Sequence, residues 1–197
     1  MRKLATLFTD SYNELKYVRT ITLAGMLAAV SVVLGYLTLE VGDFLKIGFS
    51  GIANQIVYYL FGPVVGGVFG GTLDILKYLV KPTGPYFPGW TFGAALAGVI
   101  YGVFYYKKSI SLGRVLAAEL LVSILCNMLL GTYWLTLMYG NAFMKLFWIR
   151  VQKNLIMWPV NSLIFYSIAR NMENAGLFRV MKSRGGKGSG LGKSQGS

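Results

Sequence analysis

Asp74 and Glu119 are carboxylates set inside long apolar stretches of this sequence. Ionisable groups are costly inside a bilayer, and there they mark function by default. Gly71, Asp74, Tyr78 and Lys81 recur at helical spacing and so share one helix face. A buried carboxylate accepts two parallel hydrogen bonds from an amino-substituted heterocycle, and that is the chemistry expected of Asp74. The alternative is a local pairing with Lys77 or Tyr78. Glu119 lies near the start of its stretch, close to Arg114, and reads as structural. Just beyond Asp74 comes Lys81-Pro82-Thr83-Gly84-Pro85-Tyr86-Phe87-Pro88-Gly89-Trp90. Proline fixes φ and lacks an amide donor, so this segment is a stiff loop rather than a helix. Its rings, Tyr86, Phe87 and Trp90, are placed to close over a flat ligand. A second polar face, Arg150, Asn154, Met157 or Trp158, and Asn161, follows the helical repeat, with Lys153 beside it. The planar fork of Arg150 suits a carboxylate. Asn127, Tyr133 and Trp134 come from the preceding stretch. Each aromatic has a competing reading in the interfacial belt, which suits Trp134, Tyr139 and Trp148 better than Phe87 and Trp90.

No catalytic pattern accompanies these groups. The chain has no histidine and a single cysteine, Cys126, inside an apolar run, so neither an internal disulfide nor a Cys/His metal site is expected. No cofactor is implied. Gly190-Leu191-Gly192-Lys193-Ser194 ends like a phosphate-binding loop, but Lys187 stands where the motif needs its first glycine. Stacking rings, one acid and several cations describe a receptor for a flat, polar, anionic molecule.

The elements that must hold these residues are membrane helices. Of the 197 residues, 55% are hydrophobic and 13% charged, against about 25% charged in a soluble domain. An all-α compact bundle of six transmembrane helices is expected, with spans at roughly 20–38, 48–62, 64–80, 90–106, 113–137 and 147–170. Residues 1–19 read as an interfacial amphipathic segment, 20–170 as the binding domain, and 171–197 as a basic, disordered tail. Basic residues gather before span 1, between spans 4 and 5 and after span 6, so both termini are expected on the cytoplasmic side of a multi-pass plasma-membrane protein. The formal charge of +12 then serves anionic lipid headgroups rather than nucleic acid. The opposite side still holds Lys46, Lys77, Lys81, Lys145, Arg150 and Lys153, which fits an outer mouth that attracts an anion. Gly66/Gly70, Gly67/Gly71 and Ala94/Gly98/Gly102 read as close helix contacts. Ala24 and Ala28 give span 1 a smooth stripe that could face a partner protein.

The order of these features resembles the substrate-binding S components of energy-coupling factor (ECF) vitamin transporters, and within them the folate-specific ones. The resemblance rests on Thr22 to Gly35, on Leu45-Lys46-Ile47-Gly48-Phe49, on Phe61-Gly62-Pro63 through Trp90, and on Trp134 to Gly140 followed by Arg150, Lys153 and Pro159. It implies a protein that captures a vitamin at the outer face and docks through Ala24 and Ala28 on a transmembrane coupling protein bearing two ABC ATPases. Folate, or a related anionic vitamin, would set its pterin edge against Asp74 and its glutamate against Arg150, Lys153 or Lys46. The alternatives are the same fold with another vitamin such as riboflavin, or a small membrane enzyme or scaffold at lipid headgroups.

Overall fold

The computed structural model describes residues 2–36, 38–41, 45–48, 50–80, 82, 86–139 and 143–174. In chain order these form α1 (Arg2–Glu14), α2 (Val18–Tyr36), β1 (Thr38–Val41), β2 (Leu45–Gly48), α3 (Ser50–Val80), α4 (Pro88–Tyr105), α5 (Leu112–Val122), a π-helical stretch (Ser123–Leu130), α6 (Gly131–Tyr139) and α7 (Phe143–Asn174). The six-helix all-α bundle is present: α2, the two limbs of α3, α4, the run from α5 through α6, and α7. The sequence reading starts the second span near residue 48, with Leu45 to Phe49 at its entry. The structure instead puts Leu45–Gly48 in a small antiparallel hairpin with Thr38–Val41, Glu40 opposite Lys46 in register, and begins the helix at Ser50. The apolar-polar alternation of Leu39-Glu40-Val41 and Leu45-Lys46-Ile47 is the period-two pattern that favours strand there.

Gly62 divides α3. Its φ of 85° is a left-handed conformation inside an otherwise helical run, and Pro63 then opens the second limb. A side chain at position 62 would be strained, and its Cβ would also lie 2.9 Å from the Tyr106 ring. The first limb, from Ser50 to Phe61, is about 18 Å long at ~1.5 Å per residue, well short of a ~30 Å bilayer core. Ser11 of α1 secures the break. Its hydroxyl donates to Phe61 O at 2.7 Å and accepts from the amides of Val64 at 3.0 Å and Val65 at 3.2 Å. It thereby satisfies donors that the start of a helix leaves open. An ion pair from Lys107 to Asp10 at 2.5 Å holds α1 to the α4–α5 connection.

The second limb of α3 lies against α4 with backbones in contact. A Cβ on Gly70 would meet Ala94 O at 2.5 Å, one on Gly66 would meet Gly98 O at 2.7 Å, and one on Gly98 would collide with Gly66 O. Small residues at four-residue spacing permit this approach. Below it, Tyr58 stacks on Tyr101 (5.7 Å between centroids, 8° between planes), Tyr101 on Tyr105 (5.6 Å), and Tyr105 on Phe165 (5.2 Å). This ring column ties α3, α4 and α7 together at the end of the bundle where α1 lies.

Helix α2 packs on α3 through Leu23, Ala24, Leu27, Ala28 and Val32. Ala24 and Ala28 are therefore half-buried within the bundle, and the small residues on the exposed face of α2 are Gly25 and Ala29. Ala24 and Ala28, the stripe expected to face a partner, thus pack toward α3. The bulkier neighbours, Leu23 and Leu27, complete the inward face and carry the alanines with them.

Candidate functional site

A cavity of about 270 Å³ opens between α3, α4, α5, the π-helical stretch and α7. Chain direction sets its depth. Gly51, Lys77 and Asn127 lie toward the helix ends that meet the hairpin and the proline-rich connection. Tyr58, Tyr101 and Glu119 lie toward the ends where α1 sits. The cavity therefore has a polar mouth and a closed end built on the ring column.

At the closed end, Glu119 is 7% exposed and Gln55 6%. Gln55 Nε2 donates to Glu119 Oε1 at 2.5 Å, and Tyr101 Oη donates to Glu119 Oε2 at 2.8 Å. Arg114, one turn away on the sequence, instead donates to the Ser109 carbonyl. Glu119, expected to be structural, lines the cavity. Two neutral donors fix its orientation and leave it room to accept more, because an ionised carboxylate has about four acceptor positions. Asn54, also on the wall, accepts from Ser31 Oγ at 2.6 Å, which fastens α2 to the first limb of α3.

At the mouth, Asp74 accepts from Thr91 Oγ1 at 2.8 Å. Thr91 in turn shares a 2.9 Å hydrogen bond with Tyr86 Oη, and the Tyr86 ring tilts against Tyr78 at 5.1 Å. Asp74 is thus joined through Thr91 to the proline-rich connection, with Lys77 close enough to feel its charge. Lys77 lines the cavity as the cation of the mouth. Helix α4 starts at Pro88, whose missing amide donor costs nothing at a helix's first position. Phe87 caps that start in an extended conformation and lies 5.4 Å from Trp134. Gly89 is buried under both rings, and a Cβ there would stand 2.5 Å from Phe87 and 2.7 Å from Trp134. Trp134 is therefore a packing partner of the loop, whereas Trp148 is exposed as a belt residue would be.

Of the residues expected from sequence, Asp74 and Asn127 line the cavity. Tyr78, Tyr86, Phe87 and Trp90 form or adjoin the cover and are not among the lining residues. Asn154 is half-buried on α7 and also outside the lining, while Asn161, one further on the same face, is in it. The side chains of Lys46, Arg150 and Lys153, and the loop residues Lys81 and Thr83 to Pro85, lie outside the described residues. Sequence reasoning missed Asn54, Gln55, Tyr58 and Tyr101 and undervalued Lys77 and Glu119. The available signal was the amide pair Asn54-Gln55 inside the apolar run of the first limb.

Residues 19–169 match the family model described as "ECF transporter, substrate-specific component". The chain is 39% identical over 122 residues to the folate transporter FolT of Clostridium novyi (strain NT), covering 62% of this chain and 71% of that protein. It is 31% identical over 159 residues to the folate transporter FolT of Leuconostoc mesenteroides, covering 78% of this chain and 85% of that one. Among solved structures, the crystal structure of FolT bound with folic acid superposes with a TM-score of 0.71 at 38% identity, covering 79% of this chain and 95% of that chain.

Proposed function

We propose that this chain, which belongs to the family of ECF transporter substrate-specific components, binds folate in the cavity and passes it inward when docked on a transmembrane coupling protein with two ABC ATPases. The observation that carries the substrate is the shape and chemistry of the cavity. It has an aromatic floor, a buried carboxylate and a cation at the mouth, within a fold shared with a folic-acid-bound relative. Folate has a flat, donor-rich pterin at one end and an anionic glutamate at the other. A cavity of about 270 Å³ is near the lower bound of ~300 Å³ for small-molecule sites. The pterin fits inside, and the glutamate extends toward Lys77 and the basic residues beyond it.

Docking draws support from family membership and from α2. That helix spans Val18–Gly35 with only 11% of its residues buried, so one whole face is left to lipid or to a partner. In this reading the termini and α1 lie at the cytoplasmic surface, and Lys46, Arg150 and Lys153 belong to the outer mouth. The test is uptake of labelled folic acid into proteoliposomes holding this chain, a coupling protein and its ATPases. ATP-dependent uptake is expected. Ala29→Arg should abolish uptake while leaving folic acid binding intact. Uptake that survives Ala29→Arg would reject the α2 docking face.

A further inference from the structure

Gln55 holds an unanswered acceptor at the closed end of the cavity. Its Nε2 is committed to Glu119, because a carboxylate can only accept. That leaves Oε1 buried and without a hydrogen-bond partner. Other buried side-chain atoms without a partner among the described residues belong to Tyr105, Thr132, Trp134 and Ser162, none of which lines the cavity. Buried acceptors are normally paired, and an unpaired one in a cavity wall calls for a donor from outside the chain. Beside it, Glu119 accepts from two neutral groups and retains free acceptor positions. Glu119 and Gln55 therefore offer a ligand a carboxylate and an amide oxygen side by side as acceptors, next to a stacked tyrosine wall.

Building on the folate reading, we infer that Glu119 and Gln55, rather than Asp74, read the 2-amino-4-oxo edge of the pterin. The ring N–H and the 2-amino group donate to the Glu119 carboxylate, and the second amino hydrogen donates to Gln55 Oε1. Tyr101 is a positioning residue that holds the carboxylate to the ring plane. Asp74 lies nearer the mouth, away from Gln55, and its bond from Thr91 ties it to the cover. The ligand thus enters pterin-first, with its anionic end toward Lys77.

The experiment compares folic acid with its 2-desamino-2-methyl analogue by tryptophan-fluorescence titration of the purified protein. The wild type should prefer folic acid by at least about 100-fold, because the analogue leaves buried acceptors unpaired. Glu119→Gln and Gln55→Met should each cut that preference to below about tenfold, because folic acid loses more than the analogue does, and an unchanged melting temperature in detergent reports a folded protein. Asp74→Asn, at the cover, should weaken both ligands alike and so shift neither against the other. Variants of Glu119 or Gln55 that keep the full preference, or that lose both ligands equally, overturn the assignment to Glu119 and Gln55 and leave the folate reading standing. A wild type that binds no folic acid overturns the folate reading and this inference with it.

Discussion

The hydroxyl of Thr91 makes the connection between cavity and cover, donating to Asp74 and bonding Tyr86. Thr91→Val keeps the shape and removes both bonds. It should speed folic acid release several-fold, at about 1 kcal/mol per neutral hydrogen bond, as read by stopped-flow fluorescence. Tyr101→Phe removes one of the two donors that orient Glu119. Folic acid affinity should fall about tenfold, consistent with ~1.5–3 kcal/mol for a bond to a charged group offset by a surviving Gln55 contact. These side chains also show where a sequence can and cannot be read. Asp74 and Asn127 stand out as polar residues in apolar runs, and both line the cavity. Gln55 and Tyr101 gain their meaning only by meeting Glu119 across 64 and 18 residues of chain. No local periodicity encodes that meeting.

The helices are set by two kinds of glycine. Gly66, Gly70 and Gly98 let α3 and α4 touch backbone to backbone, and Gly62 lets α3 reverse at a positive φ. Gly98→Val should destabilise the bundle by more than the ~1–3 kcal/mol typical of overpacking, because the added carbons meet backbone rather than a movable side chain. Gly25→Ala, which meets nothing within 4 Å, should leave the melting temperature in detergent unchanged. Equal shifts for the two would refute the backbone-contact account. Ser11→Ala should cost about 0.5–2 kcal/mol by uncapping the second limb of α3. Spacing alone exposed the glycine pattern, the short first limb and the Phe61-Gly62-Pro63 turn. It did not expose which face of α2 packs inward. Ala24 and Ala28 are small, as a docking stripe requires, but Leu23 and Leu27 bury the same side of the helix. The hairpin was equally hidden, because a four-residue alternation is too short to stand out beside long apolar helices.

For the molecule as a whole, the six-helix bundle and the family followed from hydropathy, charge and motif order, which act over long stretches of chain. The depth axis of the cavity needed the fold. That axis runs from a cationic mouth at Lys77 to a carboxylate floor at Glu119, and it matches a ligand with a negative tail and a donor-rich head. Attraction at the mouth is partly long-range, so folic acid affinity should fall a few-fold as salt rises from ~50 to ~500 mM. The preference over the desamino analogue is set in the buried closed end and should not change with salt. In this reading the chain by itself holds one folate. Calorimetric titration of the purified, detergent-solubilised protein with folic acid, with riboflavin and thiamine as controls, tests it most directly. Saturable binding of one folic acid per chain is expected, with no heat from either control. A folded protein that ignores folic acid, or that takes riboflavin in its place, would contradict it.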